Sequence, residues 1–340
     1  MNDTITNPLN LSHCKGCSDM SQVDWQLTLI TVVTLPFIDV LVSILGILGN
    51  GLVLVAIATN RTNFRSVPDF LIFSLSLADL LVTAIYLPLF VIYIIRYDEL
   101  RMNDTYSMIK SFVGHLALLA SISSILGITI DRLTAIRWPL RYPKLVTKKF
   151  AFLFIFIVWL ISATFASSYS FFEPSHFFLL SYCTALLLTT ILMYSYIFKV
   201  ANGQRKKIVA MRYRDHKDQS PERSSYSQEE KKTIKTLKES KAAKTFAIVI
   251  GVFVITWIPL LVYPLSVSRS KRWFFEGFLW AETFSLWNSF INPYIYFVRS
   301  KRYKRMALQL LGVRQWRRPI KRPSRVGMCM ETFRGTTTNS

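Results

Sequence analysis

A seven-helix membrane bundle, all-α with a short amphipathic helix after the last span, is the fold class this sequence predicts. Three observations carry that expectation: seven long apolar runs, little chain between most of them, and basic residues gathered in alternate connections. The runs lie near 28–58, 68–95, 108–131, 150–171, 175–200, 245–266 and 274–298. Each can cross a hydrocarbon core of about 30 Å at about 1.5 Å per residue. Four or five such runs could be buried helices of a large soluble protein, but seven with so few internal charges have no soluble reading.

The elements divide the chain into an outer tail at 1–27, a membrane domain at 28–298, an amphipathic helix at 299–312 and an inner tail at 313–340. The tail before the first run is polar and slightly acidic with no basic head, so the first run serves as its own insertion signal. Connections between runs are short except at 201–243, which is rich in Lys, Arg, Ser, Glu and Gln. That composition predicts helical extensions of the flanking spans around a disordered middle. After the seventh run, residues 300–311 alternate basic and apolar residues at helical spacing and stop at Gly312, as expected of a helix lying on the inner leaflet. Thr332, Thr336, Thr337, Thr338 and Ser340 then form a phosphorylation cluster or a solvated end.

A net charge of +21 would suggest nucleic acid as partner in a soluble protein, but the position of the charges overrules that reading. They concentrate at Arg61 and Arg65, at Arg137 to Lys149, at Arg205 to Lys244 and at Arg299 to Arg325. This asymmetry places those segments in the cytoplasm and the amino terminus outside, the topology of a multi-pass plasma-membrane protein. Sequons at Asn2, Asn10 and Asn103 fall on the outer side and are glycosylation candidates, whereas the one at Asn60 falls inside. Among the cysteines, Cys14 and Cys17 suit a local disulfide, Cys183 reads as packing, and Cys329 is an acylation candidate or a free thiol.

Polar residues within the spans carry the functional information, because each is costly in lipid and needs a partner or a cavity. Counted from the cytoplasmic ends of their helices, Asn50, Asp79, Ser121 and Asn288 lie about 16 Å deep and Asn292 about 10 Å. One layer near the bilayer centre therefore gathers a carboxylate with amide and hydroxyl oxygens. Such a layer can hold sodium, the single metal candidate in a chain that otherwise needs no cofactor; the alternative is a protonated hydrogen-bond network without an ion. At the inner rim, Arg132 can pair with Asp131 beside it or reach Glu239 across the bundle and clamp two helices together. Pro259 and Pro293 each remove a helix hydrogen bond and mark hinges.

In chain order stand Gly49-Asn50, Leu77-Ala78-Asp79, Asp131-Arg132-Leu133, Trp159, Tyr194, Trp257-Ile258-Pro259 and Asn292-Pro293-Tyr294-Ile295-Tyr296. One per span, from about 30 to 312, these motifs resemble the rhodopsin-like (class A) G-protein-coupled receptors. The resemblance implies an outer ligand pocket, Trp257 beneath it as a packing switch, and sodium at Asp79, Ser121, Asn288, Asn292 and Asn50. It also implies that Arg132 meets a heterotrimeric G protein once the sixth span swings out, with Tyr194 and Tyr296 bracing the open state and an arrestin as a further partner. Ser107 stands where the family's outer cysteine is expected and Leu186 where the fifth span usually has proline. These absences resemble the branch of melanocortin, cannabinoid, lysophospholipid and adenosine receptors.

By family register the pocket is lined by Phe90, Tyr93, Gly114, Leu118, Phe178, Tyr182, Leu260, Leu261, Pro264 and Ser285, with Lys110, His115 and Glu282 as its charged or titratable members. Gly114 occupies the place where amine receptors carry an aspartate, and Leu286 the place where opsins carry the retinal-binding lysine. Lys110 suits a lipid with an acidic or carbonyl head, Glu282 a basic peptide or amine, or the two pair with each other at the rim. Two other classes compete: a transporter, which would need paired broken helices, and a membrane hydrolase. His115 and His176 share no depth with Asp79, so nothing supports catalysis.

Overall fold

The computed structural model describes residues 27–59, 66–138, 141–172, 176–217, 226–266 and 273–312. Eleven α-helices run through them: α1 (Leu29–Thr59), α2 (Val67–Leu81), α3 (Leu87–Ile95), α4 (Tyr97–Leu100), α5 (Asp104–Arg137), α6 (Tyr142–Leu145), α7 (Lys148–Phe172), α8 (His176–Lys217), α9 (Tyr226–Ser266), α10 (Trp273–Arg299) and α11 (Lys301–Leu310). A π-helical turn, Val82–Tyr86, joins α2 to α3, so the second apolar run is one span with a wide turn rather than a regular rod. Six spans are long and apolar enough to cross a membrane by composition. The other is α10, whose many polar residues dilute its hydropathy while its partners in the bundle bury them.

Outward and inward faces differ as lipid requires. On α1 the exposed residues include Ile30, Val33, Phe37, Leu41, Ile44 and Leu48, whereas Asp39, Ser43 and Asn50 are buried. Polarity therefore points into the bundle. The third span, α5, packs against α2, α7, α8 and α9. Its apolar run begins four residues late because Asn103, not an apolar residue, starts the helix: its side chain accepts the Tyr106 amide at 2.8 Å, which caps the first turn. The inner extensions foreseen for the fifth and sixth spans are present, α8 reaching Lys217 and α9 starting at Tyr226. The two tails, with Asn2, Asn10, Cys14, Cys17, Cys329 and the terminal Thr/Ser cluster, lie outside the described residues, as does 218–225.

The amphipathic helix forms as the sequence pattern predicts and ends at Gly312, whose φ of 69° suits a residue without Cβ. Tyr303, Met306 and Ala307 turn inward while Lys301, Lys304 and Arg305 stay exposed. What the periodicity did not reveal is its anchor. Buried Asp69 of α2 accepts from Arg302 at 2.9 Å and from the Tyr303 hydroxyl at 3.0 Å. Burial, and then the Asp69 charge beside it, pushes the Tyr303 phenol above its usual range, so it stays protonated and remains a donor.

One close approach joins α1 to α10: a Cβ on Gly49 would lie 2.7 Å from Cγ of Pro293. The proline ring that breaks the α10 ladder thus fills the space that glycine leaves on α1. Gly49→Val is expected to overpack this contact by about 1–3 kcal/mol and to lower the Tm of the detergent-solubilised protein. An unchanged Tm would show that the two helices separate freely.

Candidate functional site

The polar layer is assembled around Asp79. Asn292 donates from Nδ2 to Oδ2 of Asp79 at 2.8 Å, and Ser121 donates to Oδ1 at 3.3 Å. Helices α2, α5 and α10 thereby meet on one carboxylate that is fully buried. Ser289, which the sequence reading passed over, is also hydrogen-bonded to Asp79; it lies one turn before Asn292 and so shares its face. Asn50 joins one step removed: its Nδ2 donates to the carbonyls of Ser289 at 2.8 Å and Gly46 at 3.1 Å, holding α1 to the backbone of α10. Asn288 is buried in the same region.

Donor chemistry here is unbalanced. Oδ1 of Asn50, Asn288 and Asn292 are all buried without a hydrogen-bond partner among the described residues. Buried oxygens left over in this way, beside a carboxylate, are the ligand set of a hard cation or of ordered water.

At the inner end, Arg132 folds back on its neighbour, with Nε and Nη2 at 2.8 and 2.5 Å from Oδ2 of Asp131. The other Asp131 oxygen accepts from the Tyr142 hydroxyl at 2.6 Å. Tyr142 belongs to the single turn α6, a contact between segments that no span-based reading would find. Of the two pairings open to Arg132, the local one is formed; the side chain of Glu239, the cross-bundle partner, lies outside those described. Tyr194 and Tyr296 are buried in the lower core, and Trp257 stacks on Phe253 with centroids 5.3 Å apart. Pro259 and Pro293 lie inside α9 and α10. Trp159 donates to Ser74 at 3.0 Å, and Ser74 bonds Ser124 at the same distance, tying α7 to α2 and α5.

The outer half is less as expected. Phe90 is fully buried among Leu35, Tyr86, Ile94 and Leu279, so it packs the helices together instead of lining a pocket. Lys110 and Glu282 do not pair. Lys110 places Nζ 4.0 Å from the Tyr93 ring centroid and 5.5 Å from that of Phe90, while Glu282 accepts from the Tyr86 hydroxyl. Gly114 makes room for Tyr86: a Cβ there would stand 2.6 Å from Cε2 of that ring. The Ser285 hydroxyl donates to the Glu282 carbonyl at 2.7 Å, a bond within its own helix. His115 lies against Tyr169 with centroids 4.1 Å apart. Leu118, Tyr182 and Leu260 pack on the central core, Leu261 is half-buried, and Phe178 falls where no side chain is described.

The chain matches the family described as "7 transmembrane receptor (rhodopsin family)" over residues 49–296. Relatives include the alpha-1A adrenergic receptor of Oryzias latipes, 26% identical over 88% of this chain and 71% of the relative. The alpha-1A adrenergic receptor of Mus musculus is 30% identical over 81% and 67%, and the human alpha-1D adrenergic receptor 28% over 82% and 56%. Adrenergic relatives overturn the melanocortin, cannabinoid, lysophospholipid and adenosine assignment. That assignment rested on absences alone, of cysteine at Ser107 and in the connection near 172–175 and of proline at Leu186, and a single substitution erases any one of them.

The Asn50 bridge generates a stability prediction. Asn50→Ala leaves the Ser289 carbonyl short of a donor in a dry site and is expected to cost about 1–3 kcal/mol, read as a lower Tm. A Tm equal to that of the unaltered protein would mean the bridge carries no energy.

Proposed function

The chain belongs to the rhodopsin family of seven-transmembrane receptors, and from that membership we propose how its central layer sets the activity. As a member it is a multi-pass membrane receptor, not an enzyme, that binds an extracellular ligand and activates a heterotrimeric G protein. The transporter reading finds no support in the relatives. Our proposal is that sodium occupies the Asp79 layer in the closed bundle, held by Asp79, Ser121, Asn288 and Asn292, with Asn50 setting the α1–α10 spacing beside it. The observation that carries this is the set of buried, partnerless amide oxygens around a carboxylate already shared by three helices.

Opening would then proceed outward from that layer. A ligand acts only through its different affinity for closed and open bundles, and moving a population from 1:99 to 99:1 takes about 5.5 kcal/mol of that difference. α9 would swing at Pro259, Trp257 would repack against Phe253, and Arg132 would exchange Asp131 for the G protein. Tyr194 and Tyr296 would close behind it. Where sodium favours the closed form, it opposes activation by reciprocal coupling.

The same reading puts the amino terminus outside the plasma membrane with sugars at Asn2, Asn10 and Asn103, and α11 on anionic lipid of the inner leaflet. Arrestin binding would follow phosphorylation of the carboxy-terminal Thr and Ser cluster. Within the family we place the chain nearer the adrenergic receptors it resembles. Its ligand contacts would be Lys110, Gly114, His115, Leu118, Phe178, Tyr182, Leu260, Leu261, Glu282 and Ser285.

Ligand-free guanine-nucleotide exchange, measured with several purified G proteins in sodium and in potassium at equal ionic strength, tests the central step. We expect sodium to suppress exchange by the unaltered receptor and to leave Asp79→Asn unaffected, with the variant still active in potassium. Sodium suppression that survives in Asp79→Asn would move the ion elsewhere.

A further inference from the structure

Two carboxylates in the outer half of the bundle play no part in that layer. Asp39 of α1 is about 16 Å outward of Asn50, and Glu282 of α10 about 15 Å outward of Asn292, at about 1.5 Å per residue. Asp39 is fully buried, and among the described residues its carboxylate accepts from Thr283, the residue after Glu282, at 3.3 Å. Glu282 is half-buried and accepts from Tyr86. Through Tyr86 and through neighbouring Thr283 the two acids face one junction between α1, the π-helical turn and α10. Neither forms an ion pair among the described residues. Oδ1 of Asp39 is buried and accepts nothing.

We propose that Asp39 and Glu282 form a seat for the ammonium group of a protonated organic amine at the junction of α1, the π-helical turn and α10. This rests on the receptor reading and names the chemistry of its ligand. Buried acids supported only by hydroxyl donors keep free lone pairs, and a group with up to three N–H donors fills them while neutralising the charge. A small inorganic cation would suit the acids but not the wall beside them. That wall is aromatic: Tyr86, backed by Phe90 stacked on it at 6.0 Å, with the ring of Tyr93 beyond. It already accepts an ammonium, since Lys110 lies over Tyr93 and Phe90. The side chain that Gly114 lacks is what lets Tyr86 stand between the wall and Glu282. Lys110 contributes like charge nearby, so it limits the affinity of the seat without occupying it.

The test uses the full-length receptor in lipid nanodiscs, thermally unfolded with 2-phenylethylamine, tryptamine, histamine and 1,5-diaminopentane, each paired with its alcohol counterpart at equal ionic strength. At least one amine should raise the Tm saturably where its alcohol does not. Asp39→Asn and Glu282→Gln should each raise that amine's half-saturating concentration at least tenfold, and Lys110→Met should lower it. Having two acid variants guards against the failure of either to fold. The proposal falls if alcohols match amines, if no amine stabilises, if sodium chloride reproduces the effect, or if both acid variants bind as tightly as the unaltered receptor. Nucleotide exchange on the same samples separates the two levels: exchange retained without amine binding sinks only the seat, and exchange absent under every condition sinks the receptor reading.

Discussion

A carboxylate in the middle of a lipid bilayer must be surrounded, and the arrangement of this protein follows from surrounding Asp79. Lipid offers it no donors, so they must come from within the bundle, and Ser121 and Asn292 supply them from α5 and α10. Those two bonds fix the depth at which three helices register against each other. Asn50 extends the registration to α1 through the Ser289 backbone, and Gly49 against Pro293 sets how closely that helix approaches. Because the bonds join different helices, any sliding of α10 past α2 must break or replace them. A polar layer of this kind is both a brace and a place where the bundle can be switched.

The outer and inner ends differ in how they handle charge. Inside, each buried acid has a basic or phenolic donor: Asp131 has Arg132 and Tyr142, and Asp69 has Arg302 and Tyr303. Outside, among the described residues, the side chains of Asp39 and Glu282 accept from Thr283 and Tyr86 and have no basic partner. Complete pairing at the inner end suits contacts that hold a resting form and are exchanged for a partner protein. Incomplete pairing at the outer end suits a site completed by what arrives from outside.

Much of this was legible from spacing alone. Depth counted from the helix ends put Asp79, Ser121 and Asn292 together, because rise per residue is nearly constant and lipid forbids polar atoms from facing outward. The amphipathic helix and its stop at Gly312 were legible for the same reason. What spacing could not supply is rotation and partner choice. Ser289 was missed because a serine is cheap to hide in a helix and carries little signal; Tyr142 and Asp69 were missed because their partners lie far away in sequence or in a short turn. Phe90 was assigned to the pocket by register, but the π-helical turn before it alters which face of the second span looks inward. The Ser285 hydroxyl donates to its own helix backbone, a choice open to any serine in a helix and invisible in spacing.

The central claim is that Asp79 and Asn292 act as one unit across α2 and α10, and a reciprocal exchange tests it most directly. Asp79→Asn, Asn292→Asp and the double variant would be compared by thermal unfolding in the same sodium-containing nanodiscs. The account predicts that each single change lowers the Tm and that the double change recovers much of the loss, with a coupling energy of about 0.5–3 kcal/mol. Strictly additive losses would contradict it, since they would mean that the two side chains stabilise the bundle independently.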